Sequence, residues 1–187
     1  MESIGDAELV RCCRNDDARA WRELIRRYSP LVYRIGLRVL GSPQDAEDAS
    51  QETFMSAYRS LDSYDSTRPF APWIARVAYN SSLKRLRANA RARTSLLGAQ
   101  PAPRDEAEAR PEANAIRAEE KALIVTALTR LAAQDQVLLD LRYREGLSHS
   151  EVSEVTGIPV NTVKTRILRA RGDLKRILAP LIKPVAS

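Results

Sequence analysis

Apolar positions recur along almost the whole chain at the spacing of a helix, and nowhere with the alternation of a half-buried strand. Within residues 5–40 the recurring set is Leu9, Trp21, Leu24, Ile25, Val32, Ile35, Leu37 and Leu40, set among charges, which predicts helices. Pro30 falls inside this run, at a position expected to be a break or a first helical turn. Gly41-Ser42-Pro43 reads as a turn. The next helix is expected from Asp45 to Leu61, with Asp45, Glu47 and Asp48 in a first turn where carboxylates complement the helix dipole. Asp62–Pro69 is polar and turn-like, and a further helix is expected over Phe70–Arg91. Residues 94–118 differ in kind. They carry Pro101, Pro103 and Pro111, many alanines and interleaved acids and arginines, with little to pack, and read as a flexible tether.

The pattern then resumes. Leu123, Ile124, Ala127, Leu128 and Leu131 make one stripe, and Val137, Leu138 and Leu141 the next. Ser148-His149-Ser150-Glu151 has the form of a capping box opening a short helix, and Gly157-Ile158-Pro159 turns the chain into a long helix ending near Leu178. The expected class is therefore all-α: two small helical domains, residues 1–93 and 118–179, joined by a flexible linker over 94–117 and followed by a tail over 180–187.

A capped short helix, a glycine turn and a longer basic helix form a helix-turn-helix signal. Placed at 100 degrees per residue, Val163, Ile167, Ala170, Leu174, Ile177 and Leu178 share one arc, the expected buried face. Asn161, Thr165, Leu168, Arg169 and Arg176 lie broadly opposite, with Lys164 and Arg166 on the flanks. An amide, a hydroxyl and guanidinium groups on the first half of such a helix suit base edges in a major groove, Arg169 and Thr165 foremost. Lys164, Arg166 and Arg171 suit phosphates. The plainer reading is a solvated basic face on a structural helix. From Val160 to Lys183 there are seven basic residues and one acid, Asp173, which favours nucleic acid.

The helix over 70–91 divides differently. Trp73, Val77, Asn80, Lys84, Arg87 and Arg91 align along one side, and Ala75, Tyr79, Leu83 and Leu86 oppose them. A ring, an amide and basic heads in one stripe offer a stacking platform and a phosphate track for single-stranded nucleic acid. The alternative is a core Trp73 beside a solvated basic end. The segment Asp62–Arg68 just before it, with small polar side chains and the ring of Tyr64, is suited to a pocket for an extruded base. The 45–61 helix is acidic through Asp45, Glu47, Asp48 and Glu52, wrong for phosphates and suited to a basic protein surface.

Composition adds limits. The chain has 187 residues, 44% of them hydrophobic, and a formal charge of +6, enough for two thin cores and a mild preference for polyanions. No stretch approaches the roughly 18 apolar residues of a membrane span, and MESIGDAELVRCC has no signal-peptide pattern. Both point to the cytoplasm. Two cysteines and one histidine supply neither a disulfide framework nor a metal site. Cys12 and Cys13 read as ordinary helix residues, a redox pair being the minor alternative. With no nucleophile arrangement, phosphate loop or paired-carboxylate pattern, neither an enzyme nor a cofactor is expected.

Taken together, DAEDASQETF (Asp45–Phe54), FAPWIARVAYN (Phe70–Asn80) with the basic run to Arg93, and Leu141–Leu178 resemble regions 2 and 4 of the extracytoplasmic-function (ECF) sigma factors, within the sigma-70 family of bacterial RNA polymerase. The resemblance covers most of the chain and implies an alternative sigma factor that binds core polymerase and directs promoter-specific initiation. It implies that Asp45, Asp48, Gln51 and Glu52 dock on the clamp helices of the largest polymerase subunit. Tyr64 and Asp65 of the loop, with Trp73, Arg76, Asn80, Lys84 and Arg87, would recognise and open the −10 element. Asn161, Thr162, Lys164, Thr165, Arg166, Arg169 and Arg171 would engage the −35 duplex, and the same domain would touch the polymerase flap. An anti-sigma protein is the further partner implied. The chain departs from the family pattern at Lys84, Ala132, Gln136, Pro159, Val160 and Asn161. The competing function is a stand-alone helix-turn-helix regulator, which leaves the acidic helix and the Trp73–Arg91 stripe without a task.

Overall fold

The computed structural model describes residues 4–96 and 123–179, with side chains described through residue 92 and from 123 onward. Residues 97–122, which hold most of the expected linker, and the tail beyond 179 lie outside the described residues. Among those described there are helices and no strand, as the periodicity predicts. Four helices make an N-terminal unit: α1 (Asp6–Cys13), α2 (Ala18–Leu40), α3 (Pro43–Arg59) and α4 (Phe70–Leu96), with a 3-10 turn at Leu61–Ser63. The C-terminal unit contains α5 (residues 123–129), α6 (Ala133–Leu139), a π-helical turn (Asp140–Arg144), α7 (His149–Thr156) and α8 (Val160–Leu178).

In the N-terminal unit α2 packs against α1, α3 and α4. Its core holds Leu9, Val10, Leu24, Val32, Ile35, Ala46, Phe70, Ile74 and Ala78. Asp17 caps α2 by accepting from the Arg19 and Ala20 amides, and Gly41, at φ 72°, ends it in the left-handed region that glycine adopts without strain. Pro30 does not break α2, contrary to expectation. It sits on an exposed position, so the carbonyl its missing N–H releases can be hydrated instead. α3 starts two residues earlier than expected because Ser42 caps it through the Asp45 amide, with Pro43 in the first turn. Gly36 lets α2 and α3 approach closely: a Cβ there would lie 3.3 Å from the Ala46 Cα.

In the C-terminal unit α6 packs against α8, around Val137, Leu138, Leu141, Val152, Val155, Val163 and Ile167. Ile124, placed on the apolar stripe by spacing, is exposed. The capping box is present in both directions: the Ser148 amide donates to Glu151 Oε2 at 2.7 Å, and the Glu151 amide to Ser148 Oγ at 3.2 Å. Gly157 makes the turn between α7 and α8 at φ 71°. Gln136 is buried and donates its amide to the Leu131 carbonyl at 2.8 Å.

Candidate nucleic-acid interface

On α4 the expected division of faces is largely observed. Ile74, Ala75, Ala78, Tyr79 and Ser82 are buried, while Arg76, Asn80, Lys84, Arg87 and Arg91 are exposed. Trp73 and Val77 lie half-buried at the boundary. Leu86 is the exception, exposed where the wheel placed it among the apolar residues. Trp73 is thus neither a free platform nor plain core. Its ring packs on Tyr64 at 5.3 Å and Phe70 at 5.2 Å between centroids, and Tyr28 closes the cluster on Phe70 at 5.0 Å.

Tyr64 departs from its expected place. Only 4% exposed, it puts its ring edge-on to Phe70 and donates its hydroxyl to the Arg68 carbonyl at 2.5 Å. The ring therefore anchors the 62–68 loop from below and does not line an open pocket. The exposed part of the loop is polar. Asp65 accepts from the Thr67 amide at 2.9 Å and its hydroxyl at 2.7 Å, a side-chain turn that hydrogen bonding keeps ionised by lowering the Asp65 pKa.

The acidic residues of α3 are not unopposed. Arg85, on α4, donates to Asp45 at 3.1 Å, Glu52 at 3.1 Å and Asp48 at 2.5 Å. Glu47 and Gln51 face solvent beside them. One groove between α3 and α4, of about 760 Å³, brings Glu52 and Met55 into the same wall system as Asn80 and Lys84. Two residue sets that the sequence assigned to separate partners are therefore adjacent. Arg85 had no part in the sequence reading; its only signal was a basic residue at the edge of the buried face of α4, following a helix rich in acids.

Burial pushes the Asp45 carboxyl up, but hydrogen bonds from Arg85, Asn89 and Ser42 and the Arg85 charge pull it below its ordinary value. A carboxyl depressed on folding stabilises above its unfolded pKa, and that contribution is lost as pH falls through the folded one. Arg85→Met is therefore expected to lower the stability of the N-terminal unit at pH 7 by about 1–2 kcal/mol, mostly through the Asp45 contact, since Asp48 and Glu52 are half-exposed and screened. In urea titrations the difference from the unaltered chain should shrink below the ordinary carboxylate range; a constant difference down to pH 3 would contradict this.

On α8 the buried face is Val163, Ile167 and Ala170. Asn161, Thr162, Lys164, Thr165, Arg169 and Arg171 are exposed. Asn161, Thr162, Thr165, Arg166 and Arg169 line a shallow groove of about 320 Å³. No side chain caps the α8 N-terminus and its first turn has no acid, which leaves the dipole there favourable to a phosphate. The Thr165 hydroxyl donates to the Asn161 carbonyl at 2.9 Å, so its lone pairs and methyl remain for a base edge. Arg171 stacks over the exposed Tyr143 ring, 5.6 Å from its centroid. Arg166 is differently engaged from the phosphate-reaching flank expected of it. Its Nε and Nη2 lie 2.8 and 2.7 Å from Asp135 Oδ1, and Nη1 donates to Gln134 at 2.5 Å. Its guanidinium ties α8 to α6.

Cys13 is buried and Cys12 half-buried, both as free thiols. Burial first, then neighbouring charges, pushes the Cys13 thiol up to about 11, so it stays protonated and unreactive near neutrality. No group of His, Cys, Asp or Glu among the described residues is arranged to hold a metal ion. No described helix is long and apolar enough to cross a membrane.

Comparison with known proteins gives matches in both units. A family model described as Sigma-70 region 2 matches residues 24–92, and one described as Sigma-70, region 4 matches residues 121–174. The chain is 31% identical over 185 residues to the RNA polymerase sigma-H factor of Pseudomonas aeruginosa, covering 95% of this chain and 96% of that protein. It is 30% identical over 181 residues to the ECF RNA polymerase sigma factor SigW of Bacillus subtilis, covering 92% and 96%. A solved structure of CnrH in complex with the cytosolic domain of CnrY has a TM-score of 0.62 and 26% identity, covering 94% of this chain and 97% of that one.

Proposed function

This chain belongs to the ECF subfamily of the sigma-70 family of RNA polymerase sigma factors, and from that we propose how it divides the work of promoter recognition. It is an alternative sigma factor: it binds core RNA polymerase and directs initiation at promoters carrying matched −35 and −10 elements. The observation that carries this is the presence of both family regions, in order, on a chain matched end to end by sigma factors. Residues 1–93 serve the polymerase and the −10 element, residues 118–179 serve the −35 element, and 94–117 link them. Sigma factors are regulators by family, and this chain itself catalyses no reaction. Its place of action is the cytoplasm, where its polymerase partner works.

The acidic helix α3, through Asp45, Asp48, Gln51 and Glu52, meets the clamp helices, with Arg85 setting the carboxylates in place. The exposed rail of Arg76, Asn80, Lys84 and Arg87 beside Trp73 takes the opened −10 strand, backbone on the basic heads and bases against the polar loop around Asp65. Tyr64 contributes by holding that loop. α8 enters the −35 major groove with Asn161, Thr162, Thr165 and Arg169 toward base edges and Lys164 and Arg171 toward phosphates. The C-terminal unit also meets the polymerase flap. Because the two DNA modules are tethered, engagement of one raises the effective concentration of the other. A protein of the anti-sigma type, occupying these surfaces, is the partner that would hold the chain inactive; the similar chain CnrH was solved in complex with another protein, the cytosolic domain of CnrY.

The test is run-off transcription from core polymerase with and without the chain. Transcripts from cognate promoters are expected only with it. Asn80→Ala should lower open-complex formation on duplex promoters by about tenfold, and promoters already opened across the −10 element should recover much of that loss. Failure to bind core, together with tight dimeric binding to a palindrome, would instead establish the stand-alone regulator.

A further inference from the structure

The loop that carries Asp65 has little regular hydrogen bonding of its own. After the 3-10 turn at Leu61–Ser63, its backbone is closed by the Tyr64 amide on the Leu61 carbonyl at 3.1 Å and the Arg68 amide on the Asp65 carbonyl at 3.1 Å. Such a short turn leaves carbonyl lone pairs without helical partners. Two carbonyls, that of Leu61 already accepting from the Tyr64 amide, and one hydroxyl accept from a side chain far away in the sequence. Arg14 Nη2 donates to the Leu61 carbonyl at 3.1 Å and the Tyr64 carbonyl at 2.6 Å, while Nη1 donates to Ser66 Oγ at 3.1 Å. Asp62 lies 3.9 Å from Arg14 Nε, a weaker and exposed pairing.

Arg14 is itself well fixed. It caps the C-terminus of α1, its amide bonded to the Val10 carbonyl at 3.0 Å, and α1 is held by buried Leu9, Val10 and Cys13. Two residues on, Asp16 turns the chain through φ 60° into α2. The guanidinium is thus a planar fork on a rigid corner, matching several acceptors at once, which a lysine ammonium does not do. With the Tyr64 ring below and Arg14 at the side, the loop is held at two points. The exposed side chains of Asp65 and Thr67 are left as the face presented outward.

We propose that Arg14 is a positioning residue for base recognition in the −10 element: it sets the 61–66 backbone, and through it the face that selects an extruded base. This rests on the reading of that loop as the −10 contact. Arg14 touches no DNA. Its effect is on discrimination between bases, because a pocket held loosely by even an ångström accepts wrong partners nearly as well as right ones.

The experiment uses the full chain with core polymerase and promoters pre-opened across the −10 element, with all four bases placed in turn at each non-template position. Holoenzyme affinity is read for each. The unaltered chain should prefer one base at some position by about tenfold. Arg14→Met, which keeps the stem and removes the donors, should cut that preference to about twofold without changing core binding. Arg14→Lys should recover part of it, having fewer directed donors, and Ser66→Ala should lower it modestly. Amide exchange across residues 61–68 should accelerate in Arg14→Met. Should that variant fold poorly, Arg14→Lys and Ser66→Ala carry the same comparison. Undiminished preference in the Arg14 variants, alongside its loss in Asp65→Ala, would overturn the role of Arg14 and leave the loop reading intact. Undiminished preference in Asp65→Ala as well, or none in the unaltered chain, would overturn the loop reading and the Arg14 proposal with it.

Discussion

Phe70→Ala is expected to unfold most of the N-terminal unit at physiological temperature while the C-terminal unit keeps its own transition. Phe70 is 2% exposed, and its ring meets Tyr28, Tyr64 and Trp73 at 5.0, 5.2 and 5.2 Å. Truncating a buried phenylalanine typically costs about 3–5 kcal/mol, through lost transfer energy and the cavity left behind. Small domains hold only about 5 kcal/mol or little more, so this one change removes most of the margin. The aromatic contacts add to the loss, because three rings lose an edge or a face together. Both tryptophans of the chain, Trp21 and Trp73, lie in this unit. Tryptophan fluorescence in a urea titration therefore reports it alone, and far-UV circular dichroism reports both units. The expected result is a fluorescence transition moved to low urea with residual helicity that melts later. A midpoint shift worth less than about 1 kcal/mol would mean that the rings repack around the vacancy. If the 62–68 loop contacts the −10 element as proposed, the change should also be felt in function, since Phe70 packs on the Tyr64 ring under that loop and on the Trp73 ring of α4.

How much of this could be read before any coordinates follows the range of the interactions involved. Helices and the helix-turn-helix are local, and periodicity together with the Ser148–Glu151 capping box predicted them, whereas the Asp17 and Ser42 caps went unpredicted. Pro30 misled because its effect depends on which face of α2 meets solvent, which only packing decides. The exposed rail of α4 came correctly from one wheel, since burial there alternates with the helix itself. Tyr64 was misplaced for the opposite reason: in a loop with no period, nothing in sequence says whether a ring points in or out. Arg14, Arg85 and Asp135 act across 31 to 52 residues of sequence. For Arg85 the acids of α3 were at least a hint. For Arg14 there was none, because its partners are mostly backbone carbonyls, and every residue has one. A basic count over α8 likewise cannot distinguish an arginine facing a groove from one spent inside the fold.

That distinction gives the sharpest contrast on the C-terminal unit. Arg169 is exposed, so Arg169→Ala should leave the unit's melting unchanged. Its loss should fall on promoters that depend on the −35 element, by the roughly 1–3 kcal/mol that a well-placed arginine contributes against a wrong base, or about tenfold to a hundredfold in initiation. Substituting the −35 bases should then cost the variant less than it costs the unaltered chain. Arg166→Ala should do the reverse. Arg166 and Asp135 are only 21% and 12% exposed at their side chains, and removing the guanidinium leaves the Asp135 carboxylate without its cation. Breaking a fully buried pair costs about 3–5 kcal/mol; some water access here lowers the expectation to about 2 kcal/mol. Replacing both partners, as in Arg166→Met with Asp135→Leu, should recover much of that stability, because no buried charge is then left alone. Calorimetry separates stability from recognition, and competition with −35-substituted DNA measures the latter. If Arg166→Ala melted normally but lost affinity equally for every sequence, its main role would be a phosphate contact, and the ion pair with Asp135 would be too weak to hold α8 on α6. The two arginines lie three positions apart on one helix and line the same groove, and it is Asp135, on the neighbouring helix, that engages the guanidinium of Arg166 while that of Arg169 stays exposed.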